Sequence, residues 1–314
     1  MPLLINRRVL AAKVETTIGT AESLSGSDGA FNAFDVQIQP TIPVTARMAQ
    51  GSFNKLAGVA GSYTGKCTFK TDMGWAGTTT EPTWASVLFP ACGWVASGSD
   101  PTIYYPKSEA PGSNVKTVTI GVYEDGLLYS IAGAVGTARI IGVTGEMARV
   151  EWEFTGVWQT PTDTALISPT YPTAAALKHV ATSVTYNSVT AINHKTLTID
   201  LGNEIVARES ATAAGIHSFI IVDRHPKIMI DPESVLVATQ NWHNLWVGGT
   251  EAAFSCTFDT PGNSALLVSA PKAQVVNRQE ASRNKVQVDQ IELVCNKNGA
   301  TEDQELSFSF TASS

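Results

Sequence analysis

Hydrophobic and polar residues alternate over short segments between residues 114 and 158, which is the pattern of β-strands that bury one face. The alternation is clearest in residues 116–120 and 149–154. Residues 124–126, Glu-Asp-Gly, suit a hairpin turn because glycine adopts positive φ without strain. The stretch predicts four short strands joined by glycine turns and indicates a mainly β fold.

One helix is predicted in the first half of the chain, at residues 81–93. Proline is tolerated near its start, Gly93 provides a stop, and Pro90 is expected to kink or shorten it. Strands are predicted on its N-terminal side at residues 34–38 and 66–70. The apolar residues of the helix fall at helical spacing and are Trp84, Val87, Leu88 and Cys92.

The pattern of strands, one helix and strands starts again after residues 161–176, a segment rich in proline and threonine that we interpret as a linker. The second helix is predicted at residues 231–246, with Asp231 as its N-cap and Pro232 in its first turn. We therefore predict two tandem β-rich domains, residues 1–160 and 177–314, each with a minor helix. Second-half strands are predicted at residues 183–186, 195–201, 218–223, 251–258, 265–268, 285–295 and 305–310.

Two segments of the first half show little periodicity. Residues 1–30 end in a Ser- and Gly-rich run and are predicted to form a flexible N-terminal arm. Residues 51–65 are rich in glycine and small residues and are predicted to form a long exposed loop. Pro40 and Pro43 place the segment between these two at a sheet edge or a bend.

Composition limits the classes of function. Hydrophobic residues make up 43% of the chain and charged residues 16%, which is enough to build a core. The net charge of −7 argues against tight nucleic-acid binding, which needs clustered Lys and Arg, but not against DNA passing nearby. We find no signal peptide and no apolar run of membrane-spanning length, and expect assembly in a cytoplasm. The widely spaced Cys67, Cys92, Cys256 and Cys295 are predicted to be buried free thiols.

Residues 60–67, Ala-Gly-Ser-Tyr-Thr-Gly-Lys-Cys, nearly match a phosphate-binding loop. Cys67 stands where the motif needs a hydroxyl for magnesium. The segment also leads into a predicted strand, whereas phosphate binding needs a helix N-terminus directly after the lysine. We therefore reject a nucleotide site here.

Other candidate chemistry is equally weak. Glu151 and Glu153 lie on one strand face, whereas a glycosidase needs carboxylates facing across a cleft. Residues 223–225, Asp-Arg-His, are more typical of an ion pair than of an acid/base site. The histidines lack metal-ligand spacing, and the tryptophans are more typical of cores and interfaces than of sugar binding. We predict no catalytic, cofactor-binding or metal-ligating residue. The histidines are His179, His194, His217, His225 and His243, and the tryptophans are Trp75, Trp84, Trp94, Trp152, Trp158, Trp242 and Trp246.

Several short motifs resemble the major tail tube proteins of long non-contractile-tailed bacteriophages. Residues 89–93, Phe-Pro-Ala-Cys-Gly, end the predicted helix, and residues 123–126 form a Tyr-Glu-Asp-Gly turn. A Gly-Ala-Val-Gly segment follows at residues 133–136. The second half is similar to the family in residues 197–203, Leu-Thr-Ile-Asp-Leu-Gly-Asn, and residues 223–226, Asp-Arg-His-Pro. The resemblance covers nearly the whole chain and carries no catalytic residue. It also includes residues 13–23, 84–93, 118–137, 145–146, 150 and 160–163.

The resemblance implies two tandem tail-tube-type β-sandwich or barrel domains in a structural virion protein. Such a chain is expected to form homotrimeric rings with pseudo-sixfold symmetry, stacked into a tube that conducts DNA. Other tail proteins, namely the tape measure, terminator and tail tip proteins, are the implied partners. The N-terminal arm and the 51–65 loop are expected to make contacts between rings, because mobile segments can order on assembly.

Two alternatives stay open at this point. The first is a tail-tip or adhesin-like carbohydrate-binding β module that uses exposed aromatic side chains. The second is a β-rich hydrolase whose site a single sequence does not reveal.

Overall fold

The computed structural model describes residues 4, 6–29, 31–48, 51, 53–74, 81–99, 101–173, 176–180, 182–190, 192–259 and 265–311. Within these ranges the chain is mainly β with two short α-helices, which confirms the predicted fold class. Among the described residues, no helix has the length and hydrophobicity needed to cross a membrane.

The first half contains strands β1 to β11 and helix α1. Its elements are β1 (Arg8–Val14), β2 (Ala33–Thr41), β3 (Val44–Met48), β4 (Lys55–Ala60), β5 (Thr64–Asp72), α1 (Thr83–Leu88), β6 (Trp94–Ser97), β7 (Thr102–Pro106), β8 (Val118–Glu124), β9 (Leu127–Val143), β10 (Arg149–Trp158) and β11 (Thr162–Asp163).

The second half contains strands β12 to β20 and helix α2. Its elements are β12 (Ser183–Tyr186), β13 (His194–Asp200), β14 (Asn203–Glu209), β15 (Ile216–Arg224), β16 (Lys227–Pro232), α2 (Trp242–Val247), β17 (Glu251–Asp259), β18 (Ala265–Arg283), β19 (Val286–Cys295) and β20 (Ser307–Thr311).

Strand pairing repeats between the two halves. In the first half the antiparallel order is β1-β8-β9-β10-β5-β2, and in the second it is β12-β17-β18-β19-β16-β13. A separate two-stranded hairpin, β3–β4 or β14–β15, joins the last two strands of each order. Helix α1 lies between β5 and β8 in the chain, and α2 lies between β16 and β17. The repeat of element order predicted from the sequence thus extends to the pairing of the strands.

The two halves share one sheet and one core. Strand β13 pairs with the end of β9, and β20 returns to pair with β7, within a 16-stranded sheet of the described residues. In the core the ring of Phe89 lies 5.2 Å from Phe308 and 5.6 Å from Trp152, centroid to centroid. Two separately packed domains are therefore not confirmed.

Helix α1 follows the prediction for residues 81–93 closely. The α-helix ends before Pro90, which begins a short 3₁₀ turn, and Gly93 ends that turn with φ of 77°. Positive φ is the conformation that glycine adopts without strain. The helix buries Trp84 and Leu88 in the core.

The second predicted helix is wrong over most of its length. Asp231 and Pro232 belong to strand β16, and only Trp242–Val247 is helical. The Asp231 carboxylate accepts backbone N–H bonds from Lys195 and Thr196 of the neighbouring strand, so it does not cap a helix. The N-cap is Asn241, whose side chain accepts the N–H of the third residue after it, at 2.9 Å.

The predicted N-terminal arm of residues 1–30 contains a strand, β1, at Arg8–Val14. Strand β1 pairs with β8 along its whole length, and four consecutive residues, 9–12, are buried. Burial on both faces removes the alternation by which strands are recognised. The predicted loop at 51–65 is also wrong, because it contains β4 and the start of β5.

Residues 114–158 form three strands rather than four, since β9 runs through residues 127–143 without a break. The turn at residues 124–126 is confirmed, with positive φ at Asp125 and Gly126. The predicted linker is partly attached to the first half. Its strand β11 pairs with β9, and Leu166 and Ile167 pack beside Tyr123.

Candidate functional site

The most extensive feature of the described chain is a run of eight neighbouring strands, β2-β5-β10-β9-β13-β16-β19-β18. One face of this run packs into the core through residues such as Trp152 and Ile199. Because side chains alternate along a strand, the residues between them point to the opposite face. A groove of about 830 Å³ lies on the first-half part of that opposite face. We call the whole of this opposite face the polar face. Its residues include Gln37, Gln39, Lys66, Lys70, Thr137, Arg139, Glu151, Glu153, Thr198, Asp200, Lys227, Gln290 and Glu292.

Charges on the polar face are balanced by ion pairs. Exposed pairs of this kind contribute only about 0–1 kcal/mol each to stability. Their main effect is to cancel the local field, so the face neither attracts nor repels a polyanion strongly. The N–O distances are 2.6 Å for Lys66–Glu153, 2.7 Å for Arg139–Asp200, 2.8 Å for Lys227–Glu292 and 2.9 Å for Lys70–Asp35.

Both ends of the eight-strand run are open edges. Strand β2 pairs with β5 on one side and with no described strand on the other. Residues 277–283 of β18 likewise pair only with β19 among the described strands. Unpaired N–H and C=O groups at such edges favour pairing with another chain.

The two hairpins of the repeat differ in their surroundings. Hairpin β14–β15 packs Ile216 and Phe219 against Val135 and Val157 of the first half. In hairpin β3–β4 all residues of both strands are exposed, although several are apolar. An isolated two-stranded hairpin is at best marginally stable in water, so β3–β4 is expected to have a partner. Its exposed apolar residues are Val44, Met48, Leu56 and Val59.

Residues of the near-match to a phosphate loop lie in a strand. Gly65, Lys66 and Cys67 are all part of β5, and no helix follows the lysine. The Lys66 ammonium is 2.6 Å from the Glu153 carboxylate. The local structure therefore lacks the backbone N–H groups that bind phosphate in that motif.

Two of the histidines, His179 and His194, are in contact although they are 15 residues apart in the sequence. The Nε2 atoms of His179 and His194 are 3.0 Å apart. His194 Nδ1 lies 2.8 Å from the Ile192 carbonyl, which can only accept, so this nitrogen carries a proton and Nε2 of the neutral ring accepts from His179. Burial, together with the smaller effect of the neighbouring His194, lowers the pKa of His179 to about 4. Within the described residues, no group of three or more His, Cys, Asp or Glu is arranged to hold a metal ion.

The Asp-Arg-His segment forms ion pairs. Arg224 is nearly buried and lies 2.6 Å from Glu305 and 3.5 Å from Asp303. His225 lies 3.2 Å from Asp223 at the surface. These contacts join the end of β15 to the segment before β20, which agrees with a local ion-pair role.

Most tryptophans that the structure describes are in the core. Trp84, Trp94, Trp152 and Trp242 are buried, whereas Trp246 is 40% exposed. Trp158 is partly buried against Tyr129, and Trp75 lies outside the described residues. The four cysteines are buried free thiols, as predicted, and burial raises the pKa of each.

One buried charged group was not recognised from the sequence. The carboxylate of Glu15 accepts hydrogen bonds from the Gly19 and Gly133 N–H groups and from the Thr117 and Thr119 hydroxyls, at 2.6–2.8 Å. These four donors stabilise the buried carboxylate without a cation. No sequence pattern signals the arrangement, because its donors come from three separate segments.

Comparison with known proteins adds no identification, since neither a protein-family model nor a curated protein matches the chain.

Proposed function

We propose that the chain is the major structural subunit of a phage tail tube and polymerises into stacked rings around a channel that conducts DNA. The observation that carries the proposal is the eight-strand run, which combines a charge-balanced polar face with an open edge at each end. A subunit with two open edges can add a copy at each of them. Such head-to-tail addition produces a ring when the rotation closes.

The size of the ring follows from strand spacing. Three copies of eight strands supply about 24 strands, and at about 4.8 Å per strand the barrel is about 37 Å across between backbones, or about 48 Å with a tilt near 40°. Side chains occupy about 10 Å of that width, which leaves room for a DNA duplex. Two copies would give only about 24–32 Å between backbones and a much narrower opening. The estimate favours homotrimeric rings with pseudo-sixfold symmetry.

The balanced charges of the polar face support a channel through which DNA slides. Tight DNA binding requires unpaired Lys and Arg that replace counterions along the phosphates. On the polar face, cations such as Lys66 and Arg139 are already paired with carboxylates. DNA passing this surface would therefore meet little net attraction.

The remaining parts of the proposal follow from the family resemblance. The protein would be assembled in the host cytoplasm, would reside in the virion as part of the tail, and would contact the tape measure, terminator and tail tip proteins. It would have no enzymatic activity and no cofactor.

Electron microscopy of the purified full chain at high concentration tests the proposal. We expect rings or hollow tubes with a central channel wide enough for DNA. Monomers at every concentration, or solid filaments without a channel, would contradict it.

The carbohydrate-binding alternative needs exposed aromatic rings on which sugars stack. Among the tryptophans that the structure describes, Trp246 is the most exposed. Binding of the monomer to a glycan array, lost in Trp246→Ala, would favour this alternative over the tube.

A further inference from the structure

The internal repeat shows which residues of the two halves correspond. The β2–β5 ladder ends at Thr41–Thr64 and the β13–β16 ladder ends at Asp200–Lys227. In each half a backbone bond then closes the hairpin, from residue 61 to 43 and from residue 225 to 202, at 2.8 and 2.9 Å. Thr41 therefore occupies the position of Asp200.

The same reasoning aligns β18 with β9. The β5–β10 ladder ends at Thr64–Val157, and the β16–β19 ladder ends at Lys227–Val294. Two residues before its end, β10 shifts its register against β9, next to Val135. Two residues before its end, β19 likewise shifts its register against β18, next to Asn277. Counting along β9 and β18 from the shift, Ala281 occupies the position of Arg139.

Within one chain the second half attaches to the first through two contacts. Residues 196–200 of β13 pair with residues 139–143 of β9, and Arg139 forms an ion pair with Asp200. Hairpin β14–β15 then covers the neighbouring surface, where Ile221 packs over Gly93 at the end of the first helical segment. Strand and hairpin together form the junction.

Each component of this junction is present a second time without a partner among the described residues. The edges of β18 and β2 are open, and hairpin β3–β4 is exposed. The surface of the second half that corresponds to the covered site near Gly93 is apolar and exposed. There Val247 is 73% exposed, Trp246 40% and Val276 39%.

We propose that copies of the chain join head to tail by repeating this junction between molecules. Strand β2 of one copy pairs antiparallel with residues 281–283 of β18 in the next copy, and hairpin β3–β4 covers the apolar surface around Val247. The inference rests on the proposed ring function and names the contact that builds the ring. It assigns the 51–65 segment to a neighbour within the ring, whereas the sequence analysis expected a contact between rings.

The residue equivalence also defines the register. Because Arg139 faces Asp200 within the chain, Ala281 of one copy faces Thr41 of the next on the polar face. The ladder is short, since Pro40 has no N–H to donate and the turn after β18 begins at Asn284. The apolar hairpin contact is expected to contribute most of the stability.

Disulfide cross-linking between two single variants tests the register. Thr41→Cys protein is mixed with Ala281→Cys, Gln279→Cys or Asn277→Cys protein under mild oxidation. Directly opposed residues of an antiparallel pair have Cα atoms about 4.5–5.5 Å apart, within the range that a disulfide spans. We expect a covalent dimer mainly with Ala281→Cys, and none from either variant alone. The double variant Arg139→Cys with Asp200→Cys is the positive control, because its bond forms within one chain.

The outcomes separate this interface from the proposed function. Absence of dimer in every mixture, or equal dimer with all three β18 positions, would overturn the interface, and the tube function would stand if microscopy still showed hollow tubes. Dimers at Ala281 in assemblies without a channel would support the interface and refute the tube.

A second measurement tests the hairpin contact. Val247 is 73% exposed, so Val247→Lys is expected to fold and to reduce the yield of the Thr41–Ala281 dimer at least tenfold. Val180→Lys is the matched control, because Val180 is 49% exposed beside the β9–β10 turn and does not belong to the proposed contact. Equal loss in both variants, or no loss in Val247→Lys, would contradict the hairpin contact.

Discussion

The histidine pair between His179 and His194 predicts a loss of stability in mild acid. His179 is 2% exposed, and burial holds its pKa at about 4, below the ordinary value of 6.5. As the pH falls, the His179 ring therefore takes up a proton at a higher pH in the unfolded chain than in the folded chain. The stability associated with the neutral ring is complete above pH 6.5 and is lost between pH 6.5 and about 4.

The size of the effect follows from the difference between the two pKa values. Each pH unit of difference corresponds to about 1.36 kcal/mol, so a shift from 6.5 to about 4 corresponds to about 3 kcal/mol. The space is tight, because a Cβ at Gly142 would lie only 2.4 Å from the His179 ring. A charged ring has little room to move towards water.

Urea unfolding of the dilute chain, followed by tryptophan fluorescence between pH 8 and 4.5, measures the loss. Carboxylates also titrate near the lower limit, so the informative quantity is the difference between the wild type and His179→Asn. This variant is expected to be less stable at pH 8 and to lose less stability on acidification. His243→Asn, at an exposed position, is the control. An unchanged pH dependence in His179→Asn would refute the reasoning.

Three further predictions concern folding and assembly. Phe89→Ala, in the aromatic core, is expected to lower the free energy of unfolding by about 3–5 kcal/mol in urea titrations, whereas Phe53→Ala, fully exposed, leaves it unchanged. Glu15→Gln places an amide N–H₂ against backbone donors and is expected to lower the free energy of unfolding by about 1–3 kcal/mol. Glu302→Gln is the exposed control. Replacing residues 44–60 by an Asn-Gly turn is expected to leave a folded subunit, because residues 43 and 61 already lie in hydrogen-bond contact. This subunit is expected to form no rings in sedimentation, and normal rings would contradict the role of the hairpin.

Local patterns were sufficient for the strands that bury one face. Strand β12 coincides with the predicted residues 183–186, and β19 falls within the predicted 285–295. Helix α1 was also predictable, because proline and glycine act on neighbouring residues only. These signals are short-range, so tertiary contacts altered them little.

The failures have a common cause in long-range contacts. Strand β1 was missed because both of its faces are buried, one in the main core and the other against Leu24, Leu166 and Ile167. The N-terminal part of the second predicted helix was wrong because the Asp231 side chain accepts hydrogen bonds from the backbone of β13 and not from the residues that follow it in the chain. Strand β4 of the exposed hairpin was taken for part of a loop because it has no buried face to impose alternation.

The sequence by itself determined that the chain is mainly β, that its element order occurs twice, and that its cysteines are buried thiols, because these properties depend on local alternation, turn residues and composition. Only the tertiary structure decided which strands are neighbours, since antiparallel pairing joins residues far apart in the chain. It placed the two repeats in one sheet, covered one hairpin and left the other exposed, and aligned the ion pairs of the polar face. The open edges of that sheet are therefore a property of the fold that no local pattern records.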